Sequence, residues 1–195
     1  MIIGITGGTG SGKTTFLNVI REQGGIVLDC DAIYHNLLAT DKKLLFAIEN
    51  RFPGTVTDGV LDRKALGNLV FSDEAALLDL NRITHTAVKD KVLLELESHP
   101  KLAAIDAIGL FEGGLAELCD VTVAITAPEE LRIERLIARD GISREYAAKR
   151  IRAQKGREEF IKLCRYHLEN DGTEEAFREK CLAFLKRLDI MKEKP

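Results

Sequence analysis

Gly7-Gly8-Thr9-Gly10-Ser11-Gly12-Lys13-Thr14 sets glycines at four positions and ends on a cation and a hydroxyl. That composition suits the cradling of a triphosphate. Glycine has no Cβ, so the backbone can wrap inward and take positive φ. Successive N–H groups then form an anion nest. A helix starting near Gly12 adds unpaired amides and its positive dipole end. Lys13 brings a point charge within reach of the β- and γ-phosphates, and the Thr14 hydroxyl is placed to bind Mg²⁺. With Thr15 opening the helix, Gly8 to Thr15 are the candidate residues for a nucleoside triphosphate.

Other groups could act on the γ-phosphate. Asp29-Cys30-Asp31 closes an apolar run, and strand alternation would put both carboxylates on one face. A carboxylate there can orient a hydroxyl nucleophile and take its proton during phosphoryl transfer. The competing reading makes one aspartate a helix cap and leaves the other solvated. Asp106 ends the run Leu102-Ala103-Ala104-Ile105, an arrangement in which a carboxylate holds Mg²⁺, often through water. Arg132, Arg135 and Arg139 share a helix face. Arg139, beside the Asp140-Gly141 break, suits stabilisation of charge on the transferred phosphoryl. Arg132 reads instead as part of a solvated face with Glu129, Glu130 and Glu134. Arg144, Arg150, Arg152 and Arg157 follow in a polar stretch.

These groups need a scaffold. Candidate strands fall at Ile2 to Thr6, Ile26 to Cys30, Leu102 to Ala107, Val121 to Thr126 and Tyr166 to Glu169. Helical patterns between them imply βαβ units and a parallel sheet covered on both faces. The fold class is α/β, with five parallel strands flanked by helices. Residues 32–100 are too long for a simple crossover and carry helical patterns at Lys42 to Asn50, Arg63 to Phe71 and Glu74 to Ser98, with a turn-rich loop from Phe52 to Gly59. Material inserted at that sheet edge commonly binds substrate. Residues 140–160 read as a helical lid. The core is then 1–31, 101–139 and 161–195, in one domain.

A length of 195 residues with 45% hydrophobic and 30% charged content suits a globular chain. A net charge of −3 argues against non-specific nucleic-acid binding. No long apolar run spans a membrane, and the first strand begins too early for a signal peptide, so the expected location is the cytoplasm. Cys30, Cys119, Cys164 and Cys181 lack metal-type pairing and read as reduced thiols. His35 and His85 lack metal-ligand spacing. His99 and His167 carry no readable signal.

The ordered set of motifs resembles the dephospho-coenzyme A kinase family. The segment Thr6 to Thr14 is similar to its opening, and Asp29-Cys30-Asp31 to its Asp-Ala-Asp. Asp58-Gly59-Val60-Leu61-Asp62-Arg63 with Leu66, Asn81-Arg82-Ile83-Thr84-His85 and Leu110-Phe111-Glu112 follow in family order. So do Arg139-Asp140-Gly141-Ile142-Ser143, Gln154 with Arg157, and Asn170-Asp171-Gly172. The resemblance implies a P-loop kinase fold with a helical substrate-binding insertion and a helical lid. It implies transfer of the γ-phosphoryl of ATP, with Mg²⁺, to the ribose 3′-hydroxyl of dephospho-coenzyme A. Asp31 would be the base, Lys13 and Arg139 the γ-phosphate stabilisers, and Thr14 a metal ligand with Asp106 acting through water. Thr6, Arg63, His85, Leu110, Phe111 and Glu112 would meet the acceptor. Asn170 and Gly172 would lie near adenine, with Arg144, Gln154 and Arg157 in the lid. No macromolecular partner is implied beyond a monomer or weak homo-oligomer. The chain departs from the family pattern at Ile108-Gly109, where a proline precedes Leu-Leu-Phe-Glu, at Thr86 after His85, at Cys30, and at Tyr34-His35.

Two other readings stand beside this one. A kinase of the same fold acting on another hydroxyl shares the loop and lid. A regulatory GTPase is suggested by Asp106-Ala107-Ile108-Gly109, but Thr126-Ala127-Pro128-Glu129 stands where such switches carry Asn-Lys-x-Asp.

Overall fold

The structure, a computed structural model, describes residues 1–98 and 100–192, without the side chains of 189–192. His99 lies outside the described residues. The elements open with β1 (Ile2–Thr6), α1 (Lys13–Glu22), β2 (Ile26–Asp29), α2 (Cys30–Thr40) and α3 (Lys42–Arg51). Next come β3 (Val56–Thr57), β4 (Val60–Leu61), α4 (Arg63–Val70), α5 (Glu74–Leu96) and β5 (Ala103–Asp106). The chain ends with β6 (Val121–Thr126), α6 (Glu129–Asp140), α7 (Arg144–Arg152), α8 (Arg157–Leu163), β7 (Tyr166–Glu169) and α9 (Glu174–Lys192). Two compact units result: Met1–Val27 with Pro100–Leu110 and Leu118–Pro195, and Leu28–His99 with Phe111–Glu117.

The first unit is built on a five-stranded parallel sheet in the order β2-β5-β1-β6-β7. Its central strand explains the opening residues. Ile3 and Ile5 are fully buried, as a strand covered on both faces requires. Between them Gly4 lets neighbours close in, since a Cβ there would stand 2.7 Å from Cys119 Sγ and 2.8 Å from a Leu110 methyl. Phe16, Leu17, Val19 and Ile20 of α1 share one core with Phe177, Cys181 and Phe184 of α9. The Phe16 and Phe184 rings meet edge to face at 5.9 Å, the arrangement favoured by the ring quadrupoles.

The second unit packs α2 to α5 around Leu38, Leu44, Ile48, Phe52, Leu66, Val70 and Leu80. Each of these four helices starts on an aspartate. Asp29, Asp41, Asp62 and Asp73 accept hydrogen bonds from first-turn amides at 2.7–3.1 Å, satisfying donors that a helix start leaves open. The turn-rich loop expected from Phe52 to Gly59 contains a short antiparallel hairpin, β3 with β4. Asp58 and Gly59 both take positive φ, 53° and 77°, the pairing that a tight primed turn demands. Glu49 closes the loop by accepting the amides of Gly54 and Val56, both at 2.7 Å.

Strand two ends one residue earlier than expected. Asp29 caps α2, so Cys30 and Asp31 are already helical and alternation no longer relates the two carboxylates. The stretch expected to be helical, 140–160, holds α7 and the start of α8. Gly141, at φ 65°, stops α6, and Ser143 caps α7 by accepting from Tyr146 N at 3.2 Å. Ala147 and Ile151 of α7 then pack on Ile133 and Leu136 of α6. Among the described residues no helix is long and apolar enough to cross a membrane.

Candidate active site

The glycine loop between β1 and α1 has the backbone its composition implies. Gly7, Gly10 and Gly12 lie at φ 147°, 75° and 93°. Three consecutive carbonyls are gripped from outside the loop. Arg132 Nε donates to Thr9 O at 2.8 Å, Arg135 Nη1 to Gly10 O at 3.3 Å, and Asn170 Nδ2 to Ser11 O at 3.1 Å. In a planar trans peptide the following N–H points opposite to the carbonyl. The amides of Gly10 and Gly12 are therefore turned away from those side chains, while Ser11 N–H folds back onto Gly8 O at 3.2 Å. Thr9 N–H meets Gln154 Oε1 at 2.7 Å. Lys13 Nζ donates to Gly7 O at 2.9 Å. Thr14 is exposed, and Thr15 Oγ1 donates to Glu174 at 3.5 Å.

Gly12 resists replacement on two counts. A Cβ there would fall 2.0 Å from Asn170 Nδ2, on a backbone that costs an L-residue about 1–2 kcal/mol. Gly12→Ala is expected to lower stability by at least about that amount and to weaken ATP binding. Urea unfolding and calorimetric titration check the two effects separately.

Arg132 is not on a solvated face. It is 8% exposed, because the arginine-bearing side of α6 meets the loop instead of water. Helical spacing grouped the three arginines but carried no information about what their face touches. Arg135 joins Gly10, Asn170 Oδ1 at 3.0 Å and Gly172 O at 3.4 Å. Burial lowers the pKa of both arginines, yet a guanidinium stays protonated in proteins. Arg139 is more exposed and forms a two-pronged pair with Asp140, at 2.7 and 3.0 Å. Asp140 also takes Arg150 at 2.6 Å. Hydrogen bonding from Arg139, then from Arg150, holds the Asp140 carboxyl down at about 2. A depressed folded pKa means that this stabilisation is present above the ordinary value of 3.8 and is lost as pH falls toward about 2. Acid titration should therefore show a stability gap between wild type and Asp140→Asn that closes across that window. The residues expected in a lid are also engaged: Arg144 pairs with Glu130, and Arg157 with Glu169 at 2.7 Å.

Thr6 is buried, and its hydroxyl donates to Ile108 O at 3.2 Å. Asp106 ends β5 in register with Ile5, the residue before Thr6. Leu110 has no exposed surface and packs over Gly4.

In the second unit Asp31 is exposed in the first turn of α2, and Asp29 is spent on the cap. Arg63 opens α4. Its charge partly offsets the burial that raises the Tyr34 pKa. A cavity of about 500 Å³ has Asn81, His85, Lys89 and Glu112 in its walls. Burial lowers the His85 pKa, which favours the neutral, hydrogen-bonding imidazole. Lys89 pairs with Glu117 at 3.0 Å. Phe111 is half-buried.

The family model for dephospho-CoA kinase matches residues 1–175. The chain belongs to the dephospho-CoA kinase family. The dephospho-CoA kinase of Deinococcus radiodurans is 38% identical over 192 residues, covering 96% of this chain and 92% of the relative. A solved protein from Thermus thermophilus is 38% identical with a TM-score of 0.76, covering 96% of this chain and 97% of its own. The dephospho-CoA kinase of Campylobacter jejuni is 26% identical with a TM-score of 0.66, covering 96% of each chain.

A dephospho-CoA kinase uses a nucleotide whose phosphates carry a metal, and the oxygen donors present suit one. Among the described residues no group of three or more His, Cys, Asp or Glu side chains is arranged around a metal position. Mg²⁺ needs none, because it takes one or two protein oxygens and completes its shell with phosphate and water. The Thr14 hydroxyl and the Asp106 carboxylate are hard donors of that kind.

Proposed function

We propose that the chain transfers the γ-phosphoryl group of ATP to the ribose 3′-hydroxyl of dephospho-CoA, the last step of coenzyme A biosynthesis. The observation that carries the proposal is the glycine loop with its carbonyls held outward, in a chain of this family. The triphosphate lies along the inward amides, with Lys13 leaving Gly7 O for the β- and γ-phosphates. Thr14, and Asp106 through water, would hold Mg²⁺, which supplies neutralising charge between those phosphates. Arg139 exchanges Asp140 for the γ-phosphoryl oxygens, where charge builds up in transfer. Asp31 accepts the proton of the 3′-hydroxyl as the new O–P bond forms and the bond to ADP breaks. Asn170 and Gly172 border the adenine. Thr6, Arg63, His85, Leu110, Phe111 and Glu112 serve the acceptor, and the cavity holding His85 and Glu112 has room for part of it, with Arg82 and Lys89 in its walls beside Asp90. Residues 32–100 form the acceptor insertion, and 140–160 the lid with Arg144, Gln154 and Arg157. The enzyme works in the cytoplasm as a monomer or weak homo-oligomer.

Incubation with ATP, Mg²⁺ and a panel of hydroxyl acceptors tests this directly. Phosphorus NMR should show a 3′-phosphomonoester formed on dephospho-CoA. Turnover of a nucleoside monophosphate, with none of dephospho-CoA, would overturn the acceptor assignment.

A further inference from the structure

We propose that Arg132 is a positioning residue for the triphosphate, acting through the phosphate loop from its outer side. The inference rests on the phosphoryl-transfer reading of that loop. Its first support is contact. Arg132 Nε binds Thr9 O at 2.8 Å, and this fixes the Thr9–Gly10 peptide so that Gly10 N–H faces the opposite way. The backbone of the same residue backs the loop again, since a Cβ on Gly10 would stand 2.9 Å from the Arg132 carbonyl. The second support is an idle donor on a guanidinium whose burial outweighs the attraction of Glu129. Arg132 Nη2 is buried and has no hydrogen-bond partner. It lies against Gly8, where an added Cβ would stand 2.3 Å from Nη2 and 3.2 Å from Gln154 Oε1.

Retaining a buried cation with an idle donor is costly unless an opposite charge faces it. A methionine would fill the same space without that cost. The loop backbone lies beside the guanidinium, and the anion that this backbone is shaped to hold compensates the charge across it. Gly8 is then glycine for two reasons, close approach of phosphate and close approach of Arg132.

The test uses the full-length protein and the variants Arg132→Met, Arg132→Gln and Arg132→Lys. Calorimetry measures binding of ATP and of inorganic tripolyphosphate, and steady-state assays measure the KM for dephospho-CoA. Loss of a charge-assisted contact should raise both polyphosphate dissociation constants by about tenfold or more in the Met and Gln variants. The KM for dephospho-CoA should hold, and lysine should recover part of the loss. Unchanged polyphosphate binding in Arg132→Gln would overturn the proposal, as would a Lys variant that binds no better than Gln. A strut without an electrostatic part would lower the melting temperature and leave tripolyphosphate binding alone. Because neither polyphosphate titration contains an acceptor, an enzyme that phosphorylates some other hydroxyl would refute the acceptor assignment and leave this result readable.

Discussion

Lys13→Ala should lower kcat by about 10²–10³-fold, equivalent to about 3–4 kcal/mol of transition-state stabilisation, the effect of deleting one preorganised charge partner from a phosphoryl or acyl transfer site. The structure gives the ammonium a partner within the loop itself. The ammonium lies on Gly7 O, 2.9 Å away, at the mouth of the loop. Moving from a neutral carbonyl to a γ-phosphate gains Coulomb attraction without building a new site. Alanine removes the cation and leaves the helix start intact, since alanine is a strong helix former. The melting temperature without nucleotide should therefore stay near wild type while kcat/KM collapses. A variant with wild-type kcat/KM would contradict the phosphate-loop assignment itself.

Asp31→Asn should lower kcat by about 10²-fold or more, as for loss of a general base, with ATP binding near wild type. Asparagine keeps the size and most of the polarity of the side chain, but it cannot take the proton of the 3′-hydroxyl. The structure sharpens this prediction by separating the two candidate carboxylates. Asp29 holds the first turn of α2 through Ala32 N at 3.0 Å. Asp31 sits exposed in that turn and is the carboxylate proposed to take the proton. Steady-state kinetics with saturating dephospho-CoA checks the drop, and isothermal titration with ATP checks that the donor site survives. An unchanged kcat would remove Asp31 from the mechanism.

Much of the sheet was legible. β1 and β6 fall where their apolar runs lie, because a strand covered on both faces is written as a short block of apolar residues, whereas β7 is a half-buried edge strand, Tyr166-His167-Leu168-Glu169, whose signal is weaker. The end of β2 was misjudged because Asp29 acts as a helix cap, and a cap overrides strand alternation at the residue that follows. The Asp58-Gly59 turn signal was in plain view, yet two-residue strands are too short for periodicity to mark. The phosphate loop was legible because glycine, lysine and threonine each carry their own physical reason. Arg132 was not. Its neighbours Glu129, Glu130 and Glu134 suggested water, while the surface that covers it comes from more than 120 residues away in the chain. No local pattern reports such a contact.

The position of β1 has a consequence for how the protein is made. Ile3 pairs with Ala104 on one side and Val121 on the other, so β1 waits for two neighbours that follow it far along the chain. Until they emerge, the apolar run Ile2 to Thr6 has no sheet to enter, and long-range pairing of this kind is slow and exposed to aggregation. The phosphate loop waits longer still, because its carbonyls are held by Arg132, Arg135 and Asn170. A nascent chain that stops short of Asn170 has the nucleotide motif but not the nucleotide site. ATP can therefore assist folding only once Asn170 has joined the loop.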